Sequence, residues 1–128
     1  MNLKIKVKEL MEKNPSLNYG GLILEPIRDE TKSSKERRLL EMRAKMNTKE
    51  SLQEIRTVLK WLKTSKTCFK SKKLNKYHTT FGLKTYVQSD TGVFISHGAF
   101  ILALMILDLE VVQVKNSFNA YTNVGIRK

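Results

Sequence analysis

The sequence predicts an α+β domain that is mainly helical: a three-helix core, a C-terminal β-hairpin after it, and an N-terminal helical arm before it. Apolar residues recur at helical spacing over residues 48–64, and a nine-residue apolar run, Ala99–Leu107, follows a serine that can cap a helix. Valine-rich segments then flank a turn near the C-terminus. A length of 128 residues fits one domain with an arm, and we place the arm at 1–47 and the core with its hairpin at 48–128.

The arm is predicted to contain a short element, a turn and a helix. Residues 2–13 fit either a helix or a strand, because Leu3 and Val7 satisfy both periodicities. The later elements are a stop at Asn14-Pro15, a turn at Asn18–Gly21, an extended segment at Leu22–Leu24 and a helix over 35–46.

The first core helix is predicted over 48–64, with Asn47 as its cap and Glu50 three residues later. One stripe of this helix is apolar and consists of Leu52, Ile55, Leu59 and Leu62. Such a stripe indicates a face that packs on the core, and a seam for a second copy of the chain, giving a homodimer, is the alternative.

Two more helices and a hairpin follow. Thr79 or Thr80 caps a helix over about 80–90 that ends at Gly92, and Ser96 caps a helix over about 97–108. Val111–Val114 and Ala120–Val124 flank a turn and predict the hairpin.

Three helices and a hairpin form the element order of a winged helix, a variant of the helix-turn-helix. In that scheme the helix from Ser96 reads a DNA groove and residues 115–120 form the tip of the wing. Ala99–Leu107 is apolar on every side, however, which is typical of a buried helix. We therefore expect only the start of this helix to be open to a phosphate, with Gly98 permitting its close approach.

Positive charge is concentrated in the middle of the chain. The formal net charge is +12, and residues 51–78 hold eight basic side chains and one acidic one. Seven lysines and no acid lie between Lys60 and Lys76. Such a segment indicates either a solvated loop or a surface that faces phosphates. Lysines outnumber arginines 18 to 6, which favours contact with the nucleic-acid backbone over readout of base edges.

Aromatic side chains are interleaved with these lysines. Phe69, Tyr77, His78 and Phe81 could stack on unpaired bases, or they could anchor the segment to the core. The side chains predicted to bind nucleic acid are Lys63, Lys66, Lys70, Lys72, Lys73 and Lys76, with Lys84 and His97 as secondary candidates.

Several classes of protein are not expected. The chain lacks the glycine-rich and nucleophile motifs of common enzymes, so no enzyme activity and no cofactor is predicted. One cysteine and two histidines show no metal-ligand spacing, so no metal site is predicted. Because Lys4, Lys6 and Lys8 interrupt the N-terminus and no apolar run reaches the length of a membrane span, we expect a cytoplasmic protein that does not contact a membrane.

Three short motifs resemble a group of short bacterial proteins carried on plasmids and phages. The motifs are Phe81-Gly82-Leu83-Lys84, Ile95-Ser96-His97-Gly98-Ala99-Phe100-Ile101 and Asn119-Ala120-Tyr121-Thr122-Asn123. The pattern in that group is G-L-K, then I-S-N-G-A-F-I, then N-A-Y/F-x-N, so His97 stands where the group has Asn. The likeness spans about residues 52–124, and it implies a mobile-element context without implying an activity.

Together these features predict a non-enzymatic nucleic-acid-binding accessory protein, with DNA favoured over RNA. The alternative is a protein–protein interaction factor, an inhibitor or adaptor from a mobile element, whose basic surface meets an acidic protein partner.

Overall fold

The computed structural model describes residues 2–127 and confirms the predicted class, an α+β domain that is mainly helical with a C-terminal antiparallel hairpin. Its helices are α1 (Leu3–Lys13), α2 (Lys32–Ala44), a 3₁₀ turn (Lys45–Asn47), α3 (Lys49–Thr64), α4 (Thr80–Thr91) and α5 (His97–Ile106). Its strands are β1 (Cys68–Lys70), β2 (Val111–Gln113), β3 (Ala120–Thr122) and β4 (Val124–Ile126).

From α3 onward the elements are a helix, a strand, two helices, the hairpin of β2 and β3, and a last strand, β4. The hairpin pairs β2 with β3, and β4 pairs antiparallel with β1. Asn123 lies between β3 and β4 and joins the two ladders. Its side chain accepts a hydrogen bond from the Glu110 amide (3.0 Å) and donates one to the Ser71 carbonyl (3.2 Å).

Strands β1 and β4, which pair with each other, were not predicted from the sequence. The lysine-rich segment was expected to be a loop throughout, yet Cys68–Lys70 pairs with Val124–Ile126. Three residues are too few to show an alternating pattern, and the partner strand is distant in the chain. Across this pair the ring tip of Phe69 covers Gly125, where a Cβ would lie 2.5 Å from the ring.

Helix α5 is the centre of the core, as its uniform apolarity predicted. Every residue from His97 to Leu104 is buried, and α1, α3, α4 and β2 all pack against the helix. It ends at Ile106, two residues earlier than expected, and Asp108 then adopts a positive φ of 56°. Ser96 caps the helix as predicted, with its Oγ accepting a hydrogen bond from the Ala99 amide.

The apolar stripe of α3 faces the core of its own chain. Leu52 and Ile55 are buried, and Leu59 and Leu62 pack against the same cluster. Since α3 makes its main tertiary contact with α5, the stripe is not a seam for a second copy.

Residues of the predicted arm contribute to the same core. Residues 2–13, which fitted two periodicities, form helix α1, and Val7, Met11, Leu17 and Met46 join the core cluster. Arg43 of α2 fixes the end of α1. Its guanidinium donates hydrogen bonds of 2.7–2.8 Å to the carbonyls of Met11, Asn14 and Leu17, where a cation also complements the helix dipole.

Two predicted helix starts and one predicted extended segment were wrong. Helix α2 begins at Lys32 because the Thr31 hydroxyl accepts a hydrogen bond from the Ser34 amide. Thr48, not Asn47, caps α3 by accepting a hydrogen bond from the Ser51 amide. Leu22–Leu24 forms no strand. Within residues 2–127, none of the helices combines the length and apolarity needed to cross a bilayer.

Candidate nucleic-acid interface

The start of α5, predicted to be open to a phosphate, is occupied by groups of the protein itself. The Gly98 amide donates to the Tyr19 carbonyl (3.1 Å), and the Ser96 amide donates to Oε1 of Glu54 (2.6 Å). The Tyr19 hydroxyl donates to Oε2 of the same carboxylate (2.8 Å), and burial together with Glu54 raises the pKa of Tyr19 to about 12. The buried Glu54 is therefore the anion at this helix start, and the expectation of a phosphate there was wrong.

The tip of the wing is also engaged within the protein. The Phe118 carbonyl accepts a hydrogen bond from the Leu22 amide (2.9 Å). The Asn119 side chain accepts from the Phe81 amide (3.1 Å) and donates to the Thr79 hydroxyl (2.8 Å). A winged helix that reads a groove presents its third helix and its wing to DNA, and here both are tied to other parts of the chain.

His97, a secondary candidate for nucleic-acid contact, lies in the interior. Its ring is 3% exposed, and its Nε2 is 2.7 Å from the Thr80 hydroxyl. The same hydroxyl donates to Oδ1 of Asn119 (3.1 Å). The rings of Phe81 and Phe118 pack edge-on against the imidazole. His97 therefore joins the wing to α4 and does not reach the surface.

The burial of His97 predicts a loss of stability in acid. Burial lowers its pKa from 6.5 to about 4, so protonation favours the unfolded state. The free energy of unfolding is therefore highest above pH 6.5, the pKa of His97 in the unfolded chain. It falls by about 3 kcal/mol as the pH drops from 6.5 to about 4. Urea unfolding across this window measures it. The difference in free energy of unfolding between the wild type and His97→Asn should depend on pH, and parallel profiles for the two proteins would contradict the assignment.

Six of the predicted lysines are solvent-exposed and lie in or close to β1 along the chain, and we call this set the lysine surface. Lys63 is in the last turn of α3, Lys70 ends β1, and all members are solvent-exposed; the set is Lys63, Lys66, Lys70, Lys72, Lys73 and Lys76. Over residues 2–127 none of the six forms an ion pair. Lys84 stands apart on α4, half-buried, with its ammonium 4.7 Å from the ring centroid of Phe81 and its pKa lowered by burial.

The lysine surface contains two clefts of different character. The larger, which we call the β1 cleft, has a volume of about 850 Å³ and is lined by Phe69, Lys73, Lys76, Tyr77, His78 and Gly125, among others. The smaller, of about 480 Å³, places Lys70 and Lys72 beside Asp108 and Glu110. The β1 cleft is thus the part of the surface where lysines meet aromatic rings with no carboxylate in the lining.

Two of the predicted aromatic residues also serve as anchors, since Phe69 covers Gly125 and Phe81 packs against His97, whereas Tyr77 is almost fully exposed. Tyr77 is 94% exposed, while Phe69 and Phe81 are 40% and 44% exposed. Sequence reasoning missed Tyr121 and Arg127, which β-pairing brings to the surface from the C-terminus. The Lys76 ammonium lies 4.3 Å from the Tyr121 ring centroid, and the Arg127 guanidinium lies 5.5 Å from that of Phe69.

Groups that could support metal or thiol chemistry do not gather here. Cys68 is buried, and burial raises the pKa of its thiol, which disfavours the reactive thiolate. His78 contacts the Tyr86 hydroxyl (3.3 Å). In the described part of the chain, no three His, Cys, Asp or Glu side chains are grouped to hold a metal ion.

Comparison with protein-family models, with curated proteins and with solved structures finds no match to this chain.

Proposed function

We propose that this protein is a non-enzymatic nucleic-acid-binding accessory protein that contacts the phosphate backbone through the lysine surface, with DNA as the preferred partner. The observation that carries the proposal is a run of exposed lysines over residues 63–76, in which Lys70 and Lys72 lie beside Asp108 and Glu110 while Lys73 and Lys76 line a cleft with no carboxylate. Its six lysines are exposed and form no ion pair within residues 2–127, and Glu54, the one acid of residues 51–78, is buried. Like charges held this close together repel one another unless a polyanion or salt screens them.

The chemistry of the side chains supports backbone binding over recognition of a sequence. Lysine presents a compact point charge that suits phosphate oxygens, whereas recognition of guanine edges favours the planar fork of arginine. No groove-reading element is proposed, since α5 is buried and the wing is hydrogen-bonded to the arm and to α4. Affinity in this mode comes largely from the release of counterions from the nucleic acid.

The salt dependence of binding tests this function. Fluorescence anisotropy of a labelled non-specific duplex and of a single strand, measured across a series of salt concentrations, should give micromolar or tighter binding at low salt. If about five phosphates are neutralised, log K should fall against log salt with a slope of roughly −4.5 for the duplex. The absence of binding at low salt would contradict the proposal.

A second candidate function is that of an adaptor or inhibitor from a mobile element that binds an acidic protein. Helix α2 favours it, because none of its residues is buried and Leu40 on it is 70% exposed. A chain that binds neither nucleic-acid probe would direct the search to such a partner.

A further inference from the structure

We propose that the β1 cleft receives an unpaired base of a single-stranded nucleic acid, with Tyr77 as its stacking surface and Lys73 and Lys76 as contacts to the adjoining phosphates. This inference rests on the proposed function, because the lysine surface must first hold the backbone beside the cleft. It specifies that the nucleic acid is single-stranded, and it gives the aromatic side chain a role in base stacking that backbone binding alone does not require.

The ring of Tyr77 is the main argument for stacking. It is 94% exposed at the edge of a cleft of about 850 Å³, so both of its faces are accessible to a ligand. Exposed rings of this kind give each base a flat apolar surface, and stacking is tolerant of sequence because every base has such a face. The cleft volume lies within the range of pockets that hold small molecules, and a single nucleotide fits that range.

The backbone around Tyr77 is fixed although its side chain is free. Oδ1 of Asn75 accepts hydrogen bonds from the amides of Tyr77 (2.8 Å) and His78 (3.1 Å). Nδ2 of Asn75 donates to the Val124 carbonyl (3.0 Å), and the Asn75 amide donates to the Thr122 carbonyl (2.8 Å). Asn75 thus anchors the loop to the end of the sheet, and a ring held by an ordered backbone loses less entropy when a base stacks on it.

The positive charges of the β1 cleft lie where the phosphates of a single-stranded nucleic acid would be. Lys73 and Lys76 line the same cleft as Tyr77, while the two carboxylates near the lysine surface, Asp108 and Glu110, line the smaller cleft. A base in the β1 cleft therefore brings its phosphates next to two cations and away from the acids. Arg127, above the Phe69 ring, adds a third positive charge at this end of the sheet.

A duplex cannot use this arrangement. In a duplex the faces of the bases are covered by their neighbours, so Tyr77 would meet only the sugar–phosphate backbone. A single strand exposes those faces and combines stacking with backbone contact. We therefore infer that a single strand gains an interaction in the β1 cleft that a duplex does not.

The test compares a single strand that carries bases, a single strand that lacks them, and a duplex whose bases are paired. The 128-residue protein is titrated with a labelled oligothymidylate of about 12 nucleotides, with an abasic strand of the same length, and with a duplex. The wild type should bind oligothymidylate more tightly than the abasic strand. Tyr77→Ala should weaken binding of oligothymidylate about tenfold and leave binding of the abasic strand and the duplex unchanged. Tyr77→Trp should restore the preference. Phe94→Ala is the matched control, because Phe94 is also exposed (64%) but lies in the turn between α4 and α5.

The outcomes separate this inference from the proposed function. If Tyr77→Ala binds oligothymidylate as the wild type does, or weakens all three probes equally, the base site is wrong while backbone binding stands. The base site is also wrong, and backbone binding still stands, if the wild type binds oligothymidylate and the abasic strand with equal affinity. If the wild type binds no probe at low salt, the proposed function fails and the base site fails with it.

Discussion

Charge reversal at Lys70, Lys72 and Lys73 together is expected to weaken nucleic-acid binding roughly a thousandfold, on the order of 4 kcal/mol. Each substitution to glutamate removes a phosphate contact and places a carboxylate opposite a phosphate. With three fewer neutralised phosphates, the slope of log K against log salt should also become shallower by about 2.7. All three side chains are exposed and form no ion pair within residues 2–127, so the variant should retain its fold and its helical circular dichroism. Its free energy of unfolding should fall slightly, because glutamate at positions 70 and 72 lies beside Asp108 and Glu110.

The matched control reverses three lysines elsewhere. Lys4, Lys8 and Lys13 are exposed on α1, so their change to glutamate alters the net charge by the same amount at a different place. We expect this variant to lose far less affinity than the first. Retained affinity in the folded Lys70, Lys72 and Lys73 variant, or an equal loss in the control, would show that the lysine surface is not the binding site.

Replacing Gly98 by alanine is expected to destabilise the protein by about 3 kcal/mol, through overpacking between α5 and the arm. A Cβ at this position would lie 2.1 Å from the Asn18 carbonyl oxygen and 2.7 Å from the Met46 methyl. The nearest obstacle is backbone, so a rotamer change cannot relieve it. The segment around Asn18 must move away from α5, which also lengthens the hydrogen bond from the Gly98 amide to Tyr19.

Gly82→Ala is a control for which we expect the opposite change in stability. Gly82 also lies in a helix, α4, but a Cβ there would meet nothing within 4 Å. Gly82→Ala should therefore stabilise the protein by about 0.5–1 kcal/mol, since alanine loses less backbone entropy on folding. Urea unfolding of both variants measures the contrast. If Gly98→Ala is as stable as the wild type, the arm does not pack on α5 as described.

Much of the fold was predictable because local patterns determine it. The amphipathic stripe of α3, the apolar run of α5, the Ser96 cap and the left-handed Gly92 all depend on residues close together in the chain. These features predicted an α+β class with a terminal hairpin, and they predicted that α5 is buried. Strand β1 escaped prediction because its partner, Val124–Ile126, is remote in sequence and three residues carry too little pattern.

The candidate site was predictable only in its composition. Sequence alone places seven lysines within a short segment, but its expectation that a phosphate approaches Gly98 was wrong. The group that lies close to Gly98 is the Asn18 carbonyl of the predicted arm, and the carboxylate at the start of α5 is that of Glu54 on α3, because the arm and α3 both pack against α5. Both contacts depend on packing between distant segments. Local charge and periodicity therefore predict which side chains are present in each segment. Packing between distant segments determines which of those side chains are buried and which are exposed.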